Sequence, residues 1–425
     1  MSAIPETRFS PIESARISRG TFLYVLCLAT VATGFYLYWW FWKLKIYFIS
    51  WAVCLLIVSC FRFTGHLRMR GVAQDMLPII VWYAYLSASA VWSPSPSTTL
   101  YQISAIAVNP LVFLVSYAWA KSTSQWALSA FFEFETLLIL PIVLWYLVTI
   151  GKLYDASLGA LRSEFAATCL LSLPFLIWRV RSGGSVRSTA VLLAALGFLL
   201  AGDSRSALLI MPVLVLGAVF LVARPRHGRG RLIATAVLLS SLLFAMGASI
   251  PGFRDAVSHS WGRFSPTETR LSISPSILDE VAGPADVQVD IERRLQLFIS
   301  LESFLNHPML GAGYQSTYVI IRNQFGREVS AHGLPSTLLG ETGLVGTALF
   351  VWMIARFFKR INSATFRSMN ERSFYSTCKL TMLGMLLLGL FHQVDQSQAL
   401  FVLLAWGYAL PMNAVVTATT ISRDS

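Results

Sequence analysis

Hydrophobic positions along the chain form long runs that are separated by short polar segments. Twelve such runs can be drawn, each close to the length that a helix needs to cross the roughly 30 Å hydrocarbon core of a bilayer. They lie at about 21–41, 46–61, 73–91, 100–120, 125–150, 165–178, 188–202, 206–223, 232–250, 335–355, 374–392 and 398–416. The pattern therefore predicts an all-α polytopic membrane protein of about twelve transmembrane helices.

The composition agrees with this interpretation. Of the 425 residues, 55% are hydrophobic and 13% are charged, and a soluble globule of this composition would have to cover its surface with apolar side chains. One membrane domain over residues 1–425 is therefore a better prediction than several soluble domains. The first apolar run follows a charged segment and leads directly into a second run, so we expect it to be retained.

Basic residues are distributed unevenly between the two sets of alternating loops. If the N-terminus is cytoplasmic, most Lys and Arg fall in cytoplasmic loops, as the positive-inside rule requires. The residues concerned are Arg62, Arg68, Arg70, Lys121, Arg179, Arg181, Arg187, Arg224, Arg226, Arg229, Arg231, Arg356, Lys359, Arg360, Arg367 and Arg372. We expect both termini in the cytoplasm. The net charge of +12 is spread over short loops, where it favours contact with anionic lipid rather than nucleic acid.

One polar segment, at about residues 251–334, is far longer than the others and lies between the ninth and tenth predicted helices. In this topology it is extracytoplasmic, and its length and mixed charge predict a small folded insert that carries part of an active site. Residues 293–306 have apolar positions at helical spacing, which predicts an amphipathic helix lying on the membrane face. Pro308 and Gly311 are expected to end that helix.

Arg205 is the first candidate for chemistry, because it lies in a polar break between two apolar runs at the extracytoplasmic membrane edge. An Arg at that depth costs free energy unless it meets a partner, and a guanidinium can hold two oxygens of a diphosphate. The alternative is an interfacial Arg that pairs with Asp203 for structure.

The long loop and its end supply the other candidates. Arg293 and Arg294 are flanked by acids, which is typical of a solvated face, but beside a bilayer they can also reach an anionic lipid headgroup. His332 precedes the tenth apolar run, where a neutral imidazole can accept a proton from an attacking hydroxyl near pH 7. A packed, hydrogen-bonded histidine is the structural alternative.

Taken in order, these pieces resemble the bacterial O-antigen ligase and Wzy-type polysaccharide polymerase superfamily. The similar segments are residues 92–100 (WSPSPSTTL), 203–207 (DSRSA), 294–314 with His307-Pro-x-x-Gly-x-Gly, and Ala331-His332 followed by residues 341–346 (ETGLVG). The sequence departs from the family at Gly333 to Pro335, where the family often has a small polar residue and then an apolar run.

The resemblance implies a glycosyltransferase of the GT-C type at the periplasmic face of the bacterial inner membrane. Its donor would be an undecaprenyl-diphosphate-linked glycan and its acceptor a glycan or glycolipid, with membrane lipid around it and other polysaccharide assembly proteins as further partners. No cofactor and no metal are implied. The sequence agrees, since it has no glycine-rich phosphate loop, no Asp-x-Asp pair and no His/Cys/Asp cluster at ligand spacing.

The resemblance also implies roles for residues. His332 would orient or deprotonate the acceptor, and Arg205 and Arg294 would neutralise charge on the leaving diphosphate, with Arg293 as a substitute. Glu341 and His307 are placed with the substrate-binding group, although Glu341 is better suited to holding helix and loop together.

Two choices stay open at this point. The Trp-Ser-x-x-Pro piece at residues 92–96 and the compact C-terminus favour a polymerase of the ExoQ type over a ligase that transfers glycan to lipid A-core. A transporter or flippase would emphasise Glu133 and Glu135 in the fifth apolar run. No internal repeat relates the two halves of the sequence, and a large loop outside one helix pair favours an enzyme.

Overall fold

The computed structural model describes residues 69–122, 124–150, 159–183, 186–201, 205–222, 285–325, 333–366, 368–392 and 397–409. This part of the chain is helical and contains no strand, in agreement with the all-α class. The predicted spans at 21–41, 46–61 and 232–250, residues 251–284 of the long loop, His332 and both termini lie outside the described residues. The number of spans therefore stays a prediction.

Twelve α-helices are described. They are α1 (Met69–Ala88), α2 (Pro96–Ile106), α3 (Asn109–Ser122), α4 (Gln125–Ile150), α5 (Gly159–Arg181), α6 (Val186–Ala201), α7 (Arg205–Val222), α8 (Ala285–Asn306), α9 (Ser316–Phe325), α10 (Thr342–Ser363), α11 (Met369–Gly389) and α12 (Gln398–Tyr408). A 3₁₀ turn (Ser89–Val91) follows α1, and a π-helix (Ser336–Glu341) leads into α10.

Two helical stretches of the described chain are long and apolar enough to cross a membrane, Pro96–Lys121 and Ser336–Ser363. Three shorter apolar helices accompany them, Val186–Leu199, Ser206–Phe220 and Gln398–Tyr408. The first of the two long stretches differs from the sequence prediction, because it consists of two helices, α2 and α3, that meet around Ala107 and Val108. Pro110 has no N–H to donate and is favoured in the first turn of a helix, which explains why a second helix begins here.

The helices pack into a bundle. In it α5 contacts α4, α6, α7 and α11, and α12 contacts α3, α10 and α11. An aromatic cluster fills the place where α4, α5, α11 and α12 meet. Trp406 is fully buried there and makes edge-to-face contacts with Phe132 and Phe175, whose rings stack with centroids 4.5 Å apart. Such pairs add about 0.5–1.5 kcal/mol each to the free energy of burial.

Charged side chains mark one end of the bundle, which we call the basic end and define by Asp75, Arg179, Arg187, Arg356 and Arg360. Asp75 is buried at the start of α1 and accepts hydrogen bonds from Arg356 (3.1 Å) and from Arg360 (2.9 Å to one carboxylate oxygen). Tyr117 near the end of α3 also donates to it, at 2.8 Å. The basic residues at this end belong to loops that the sequence places in the cytoplasm.

The amphipathic helix predicted at residues 293–306 is confirmed as part of α8, which begins earlier, at Ala285, and ends at Asn306 as expected. Its polar side faces the protein, where Gln296, Ser300 and Ser303 are buried. Its apolar stripe is exposed instead, and we define it as the α8 stripe: Leu297, Phe298, Leu301 and Leu305.

Candidate functional site

The segment that leads into α10 has an irregular backbone. Gly333 comes first, with φ +91°, and the π-helix Ser336–Glu341 follows. Gly343 then has φ +63° and ψ −167°, a conformation that only glycine adopts without strain. π-turns and strained backbone cluster at functional sites, so this segment, residues 333–343, is a candidate. We call it the α10 head.

The turn after α8 lies directly on the α10 head. Ala312 N donates to the Gly340 carbonyl at 3.1 Å, and Gly313 N donates to the Glu341 carbonyl at 2.9 Å. Two further backbone bonds join the turn to the first turn of α10, from Leu344 N to Pro308 O at 2.9 Å and from Val345 N to Met309 O at 3.0 Å. The His-Pro-x-x-Gly-x-Gly motif is therefore a turn that binds α8 to the start of α10.

Glu341 reinforces this junction with its side chain. Its carboxylate is fully buried, and Oε2 accepts a hydrogen bond from Gln315 N at 2.8 Å. Gln315 has φ +62°, which is unfavourable for a residue with a side chain, and a charge-assisted bond to its N–H offsets that cost. The contact ties loop to helix; a role for Glu341 in substrate binding stays a prediction.

The segment 89–99, between α1 and α2, holds the same turn from another side through Tyr314, which is fully buried. Tyr314 N donates to Ser89 Oγ at 3.0 Å, and Thr99 Oγ1 donates to the Tyr314 carbonyl at 2.8 Å. Ser93 Oγ and Thr99 Oγ1 lie 2.7 Å apart. Thr99 of the WSPSPSTTL segment thus anchors the turn after α8, and Ser93 supports Thr99. The sequence did not show this, because Tyr314 is 215 residues from Thr99.

Gly313 is required at the contact between these two segments. It has φ +99°, and a Cβ on it would lie 2.8 Å from Ser93 Cα, closer than real Cβ atoms approach. Tyr85 on α1 adds hydrogen bonds to the carbonyls of Leu310 at 2.9 Å and Thr342 at 2.7 Å. The turn is therefore held by α1, the 89–99 segment and the α10 head together.

A second contact at the same end of the bundle joins α7 to α11. Ser206 Oγ and His392 Nε2 lie 2.9 Å apart, and Ser206 is buried in the first turn of α7. His392 lies just beyond the end of α11, where its own N–H donates to the Leu388 carbonyl at 3.0 Å. We name the end that contains the α10 head, Ser206 and His392 the site end.

The α10 head also contacts the end of α11. A Cβ on Gly333 would lie 3.0 Å from the Leu390 carbonyl oxygen, so the two backbones are in close contact. Three polar segments therefore meet at the site end: the start of α7, the start of the α10 head and the turn that contains His392.

The predicted site residues are distributed over these segments. Arg205 is the first residue of α7, and Arg293 and Arg294 lie within α8; at these three positions the structure describes the backbone and not the side chain. His332 lies outside the described residues, directly before Gly333. His307 is exposed in the turn after α8.

Contacts in the structure relate α8 to the α10 head. A Cβ on Gly340 would lie 2.7 Å from the Ser300 carbonyl oxygen, so α8 packs on the π-helix at that point. Arg294 precedes Ser300 by six residues, which is roughly 9 Å along the helix axis. The described backbone thus brings the segments of Arg205 and Arg294 to the same end of the bundle as Gly333.

Sequence reasoning did not identify His392. It is the last residue of an apolar run, at 374–392, and the polar residues that follow it, Gln393, Asp395 and Gln396, have the pattern of an ordinary loop. The one available signal was its position at the same predicted membrane edge as the polar break around Arg205.

Residues 189–351 match the family model described as O-antigen ligase. The matched region runs from α6 into α10 and includes α7, α8 and the α10 head, and the match confirms the family resemblance that the motifs indicated. Comparison with curated proteins gives no match.

Proposed function

Since residues 189–351 carry a domain of the O-antigen ligase family, we propose that this chain polymerises undecaprenyl-diphosphate-linked oligosaccharide repeat units. Members of this family are integral membrane enzymes of the glycosyltransferase type, and the match supports an O-antigen ligase or polymerase activity in general. The proposal adds the donor, the polymeric product and the place of reaction, which is the periplasmic face of the inner membrane. The product would be exopolysaccharide or O-antigen.

The observation that carries the proposal is the convergence of the candidate segments at the site end. Ser206 directly follows Arg205, and its hydroxyl contacts His392 at 2.9 Å. Gly333 directly follows His332 and packs on Leu390, two residues before His392. Ser206 and Gly333, which follow the two proposed catalytic residues in the sequence, therefore both contact the turn that ends at His392.

The reaction then assigns one task to each group. An acceptor hydroxyl attacks the anomeric carbon of the donor, and His332 accepts the proton of that hydroxyl. The bond from the anomeric carbon to the diphosphate oxygen breaks, and undecaprenyl diphosphate departs with the electron pair. Arg205 and Arg294, with Arg293 beside it, neutralise the charge that develops on that leaving group. No metal and no cofactor take part.

The remaining candidates, Glu341 and His307, take no part in the exchange of bonds. The buried carboxylate of Glu341 fixes the turn after α8 through Gln315 N, so it sets the position of α8 and with it of Arg294. His307 lies exposed in that turn, where it is available to the acceptor glycan or glycolipid.

The orientation in the membrane is part of the proposal. The basic end carries the Arg residues of the predicted cytoplasmic loops, and the site end lies opposite. Thr342 and Arg360, at the two ends of α10, are 18 residues apart, which is roughly 27 Å along a helix and close to the hydrocarbon thickness. The site end would therefore face the periplasm, with both termini in the cytoplasm.

The test is a transfer assay with the purified full-length chain and an undecaprenyl-diphosphate-linked repeat unit as the sole glycan. A ladder of longer glycans that remain attached to the lipid diphosphate is the expected product. If the donor is consumed only when lipid A-core is added, and the glycan appears on that acceptor, the chain is a ligase. This alternative is favoured by the description of the matched family as O-antigen ligase.

A transporter has less support from the structure. Glu133, one of the two acids that it would use, is buried in ion pairs with Arg179 at 2.6 Å and with Arg187 at 2.7 Å. Both arginines lie at the basic end. Glu133 therefore links α4 to α5 and α6 there, which is a structural role. Proteoliposomes that contain the chain and no acceptor are expected to move no glycan.

A further inference from the structure

His392 joins two segments that carry the proposed chemistry. Its Nε2 lies 2.9 Å from Ser206 Oγ, at the start of α7, and its backbone N–H is anchored on the Leu388 carbonyl at the end of α11. The side chain of Ser206 is buried and that of His392 is half-buried, so water competes weakly for this hydrogen bond.

The turn that holds His392 also supports the α10 head. Gly333 approaches Leu390 so closely that a Cβ would lie 3.0 Å from the Leu390 carbonyl oxygen. The turn after α11 thus contacts both the residue that follows Arg205 and the residue that follows His332. Neither contact was predicted from the sequence.

We propose that His392 is a positioning residue: through its hydrogen bond to Ser206 it fixes the start of α7, where Arg205 lies, relative to the α10 head. The inference rests on the proposed function, because that function assigns the leaving-group role to Arg205 at the start of α7. The side chain of His392 does not touch substrate in this account. The imidazole acts through the backbone of its neighbours.

The expected size of the effect follows from geometry. Displacement of a catalytic group by about 1 Å can reduce the rate about 100-fold, because the barrier depends on alignment in the transition state. Loss of the Ser206 contact would let α7 shift without unfolding, since α7 also packs on α5 and α11 along its length. The effect should therefore appear in kcat more than in donor KM.

At position 392, glutamine can partly replace the hydrogen bond that the imidazole makes to Ser206. Its terminal amide has both a donor and an acceptor group, so it can bond the hydroxyl of Ser206 in either direction, whereas Nε2 of the imidazole donates in one tautomer and accepts in the other. Alanine offers neither. Comparison of the two variants separates a loss of the hydrogen bond from a general loss of the histidine ring.

The kinetic experiment uses the purified full-length chain with the undecaprenyl-diphosphate-linked repeat unit. We expect His392→Ala to lower kcat at least about tenfold. Ser206→Ala should do the same, the double variant should be no worse than either single one, and His392→Gln should recover most of the activity. Phe391→Ala is the matched control, since this exposed neighbour in the same turn should leave kcat unchanged.

Three results would overturn the inference: wild-type kcat in His392→Ala, effects of the two single alanine variants that multiply in the double variant, or His392→Gln as impaired as His392→Ala.

A second measurement distinguishes failure of this inference from failure of the proposed function, because it does not depend on glycan transfer. Spin labels replace the exposed side chains of Leu209 on α7 and Leu383 on α11, with the native cysteines substituted. His392→Ala should shift or broaden the distance distribution between the labels even in a chain that transfers no glycan. An unchanged distribution would refute positioning by His392, whatever the activity.

Discussion

At the scale of single residues, the type of cation at position 205 is expected to decide the rate of transfer. We predict that Arg205→Lys impairs glycan transfer nearly as much as Arg205→Ala. Lysine keeps the charge but loses the planar fork that holds two diphosphate oxygens at once. Initial rates with purified variants measure this, at equal amounts of folded protein.

Lys379 provides the control, because it is a half-buried cation of α11 whose ammonium contacts Asn362 near the basic end. Lys379→Ala should transfer glycan at the wild-type rate. Full activity of Arg205→Lys would reduce Arg205 to an anchor at the membrane interface.

His332 is expected to activate the acceptor and not to hold the donor. We predict that His332→Ala abolishes polymer formation while lipid-linked repeat units accumulate, because donor binding rests on the arginines. Loss of a positioned acid–base group lowers rates by about 10² to 10⁴. Turnover and donor affinity are to be measured separately for the same protein preparation.

Two outcomes would change the assignment of His332. Turnover at the wild-type rate would remove it as the base, and His307→Ala would be tested next. A loss of donor affinity that explains the whole loss of turnover would place His332 with the diphosphate-binding group.

The sequence predicted individual site residues where they interrupt a pattern. Arg205 stands out because it is a charge between two apolar runs. His392 does not stand out, since it closes an apolar run, and its partner Ser206 is 186 residues away. Glu341 was expected to hold helix and loop together, but that its partner is the backbone N–H of Gln315 follows from a folded turn that no spacing rule describes.

At the scale of elements, α8 has its apolar side outward, which a helix surrounded by water would avoid. The α8 stripe is exposed, with Leu305 at 69% and Leu297 at 63%. We predict that bilayer lipid covers it. Spin labels at Leu301 and Leu305 should be more accessible to oxygen, which enters lipid, than to a water-soluble nickel chelate.

Asn306 supplies the matched control at the end of the same helix, since it is exposed and polar and lies outside the α8 stripe. A label there should show the opposite preference, for the nickel chelate. If all three labels prefer the nickel chelate, the α8 stripe faces water. If the two leucine positions are shielded from both reagents, protein and not lipid covers it.

The turn after α8 should tolerate no side chain at position 313. We predict that Gly313→Ala lowers the free energy of unfolding by about 2–4 kcal/mol, from the strain of a positive φ and from the clash with Ser93. Gly183→Ala isolates the strain, because Gly183 has φ +93° but no atom within 4 Å of its Cβ position. Thermal unfolding in detergent compares the two variants. Equal losses would show that the turn yields to the extra methyl group.

Elements with a regular period were predictable and interruptions were not. The helical spacing of apolar residues over 293–306 predicted the second part of α8, and Pro308 and Gly311 predicted its end. The division of one predicted span into α2 and α3 follows from Pro110, which favours the first turn of a new helix, and the π-helix is accompanied by contacts of the α10 head with α8. Apolar periodicity describes neither, because the first is a local backbone property and the second involves tertiary packing.

At the scale of the whole molecule, the charge pattern predicted which helix ends share a side. Asp75 at the start of α1 contacts Arg356 and Arg360 near the end of α10, and it also contacts Tyr117 near the end of α3. These ends were all assigned to the same side from the positions of Lys and Arg alone. The physical cause is that charge crosses the bilayer at high cost, so basic loops and their buried partners gather at one end.

The last prediction concerns which side of the membrane each end faces. Single cysteines at His307 and Asn306, at the site end, should react with an impermeant maleimide in intact spheroplasts, and reporter fusions within 251–333 should report the periplasm. Cysteines at Asn362 and Ser363, at the basic end, should react only after lysis. All four positions are exposed, so accessibility within the protein does not decide the result.

Reporter fusions test the same orientation, and those at residues 224–231 and 360–372 should report the cytoplasm. A cytoplasmic signal from residue 280 would invert the orientation, and the periplasmic site would then be wrong, because a donor exposed at the outer leaflet could not reach Arg205 or His332.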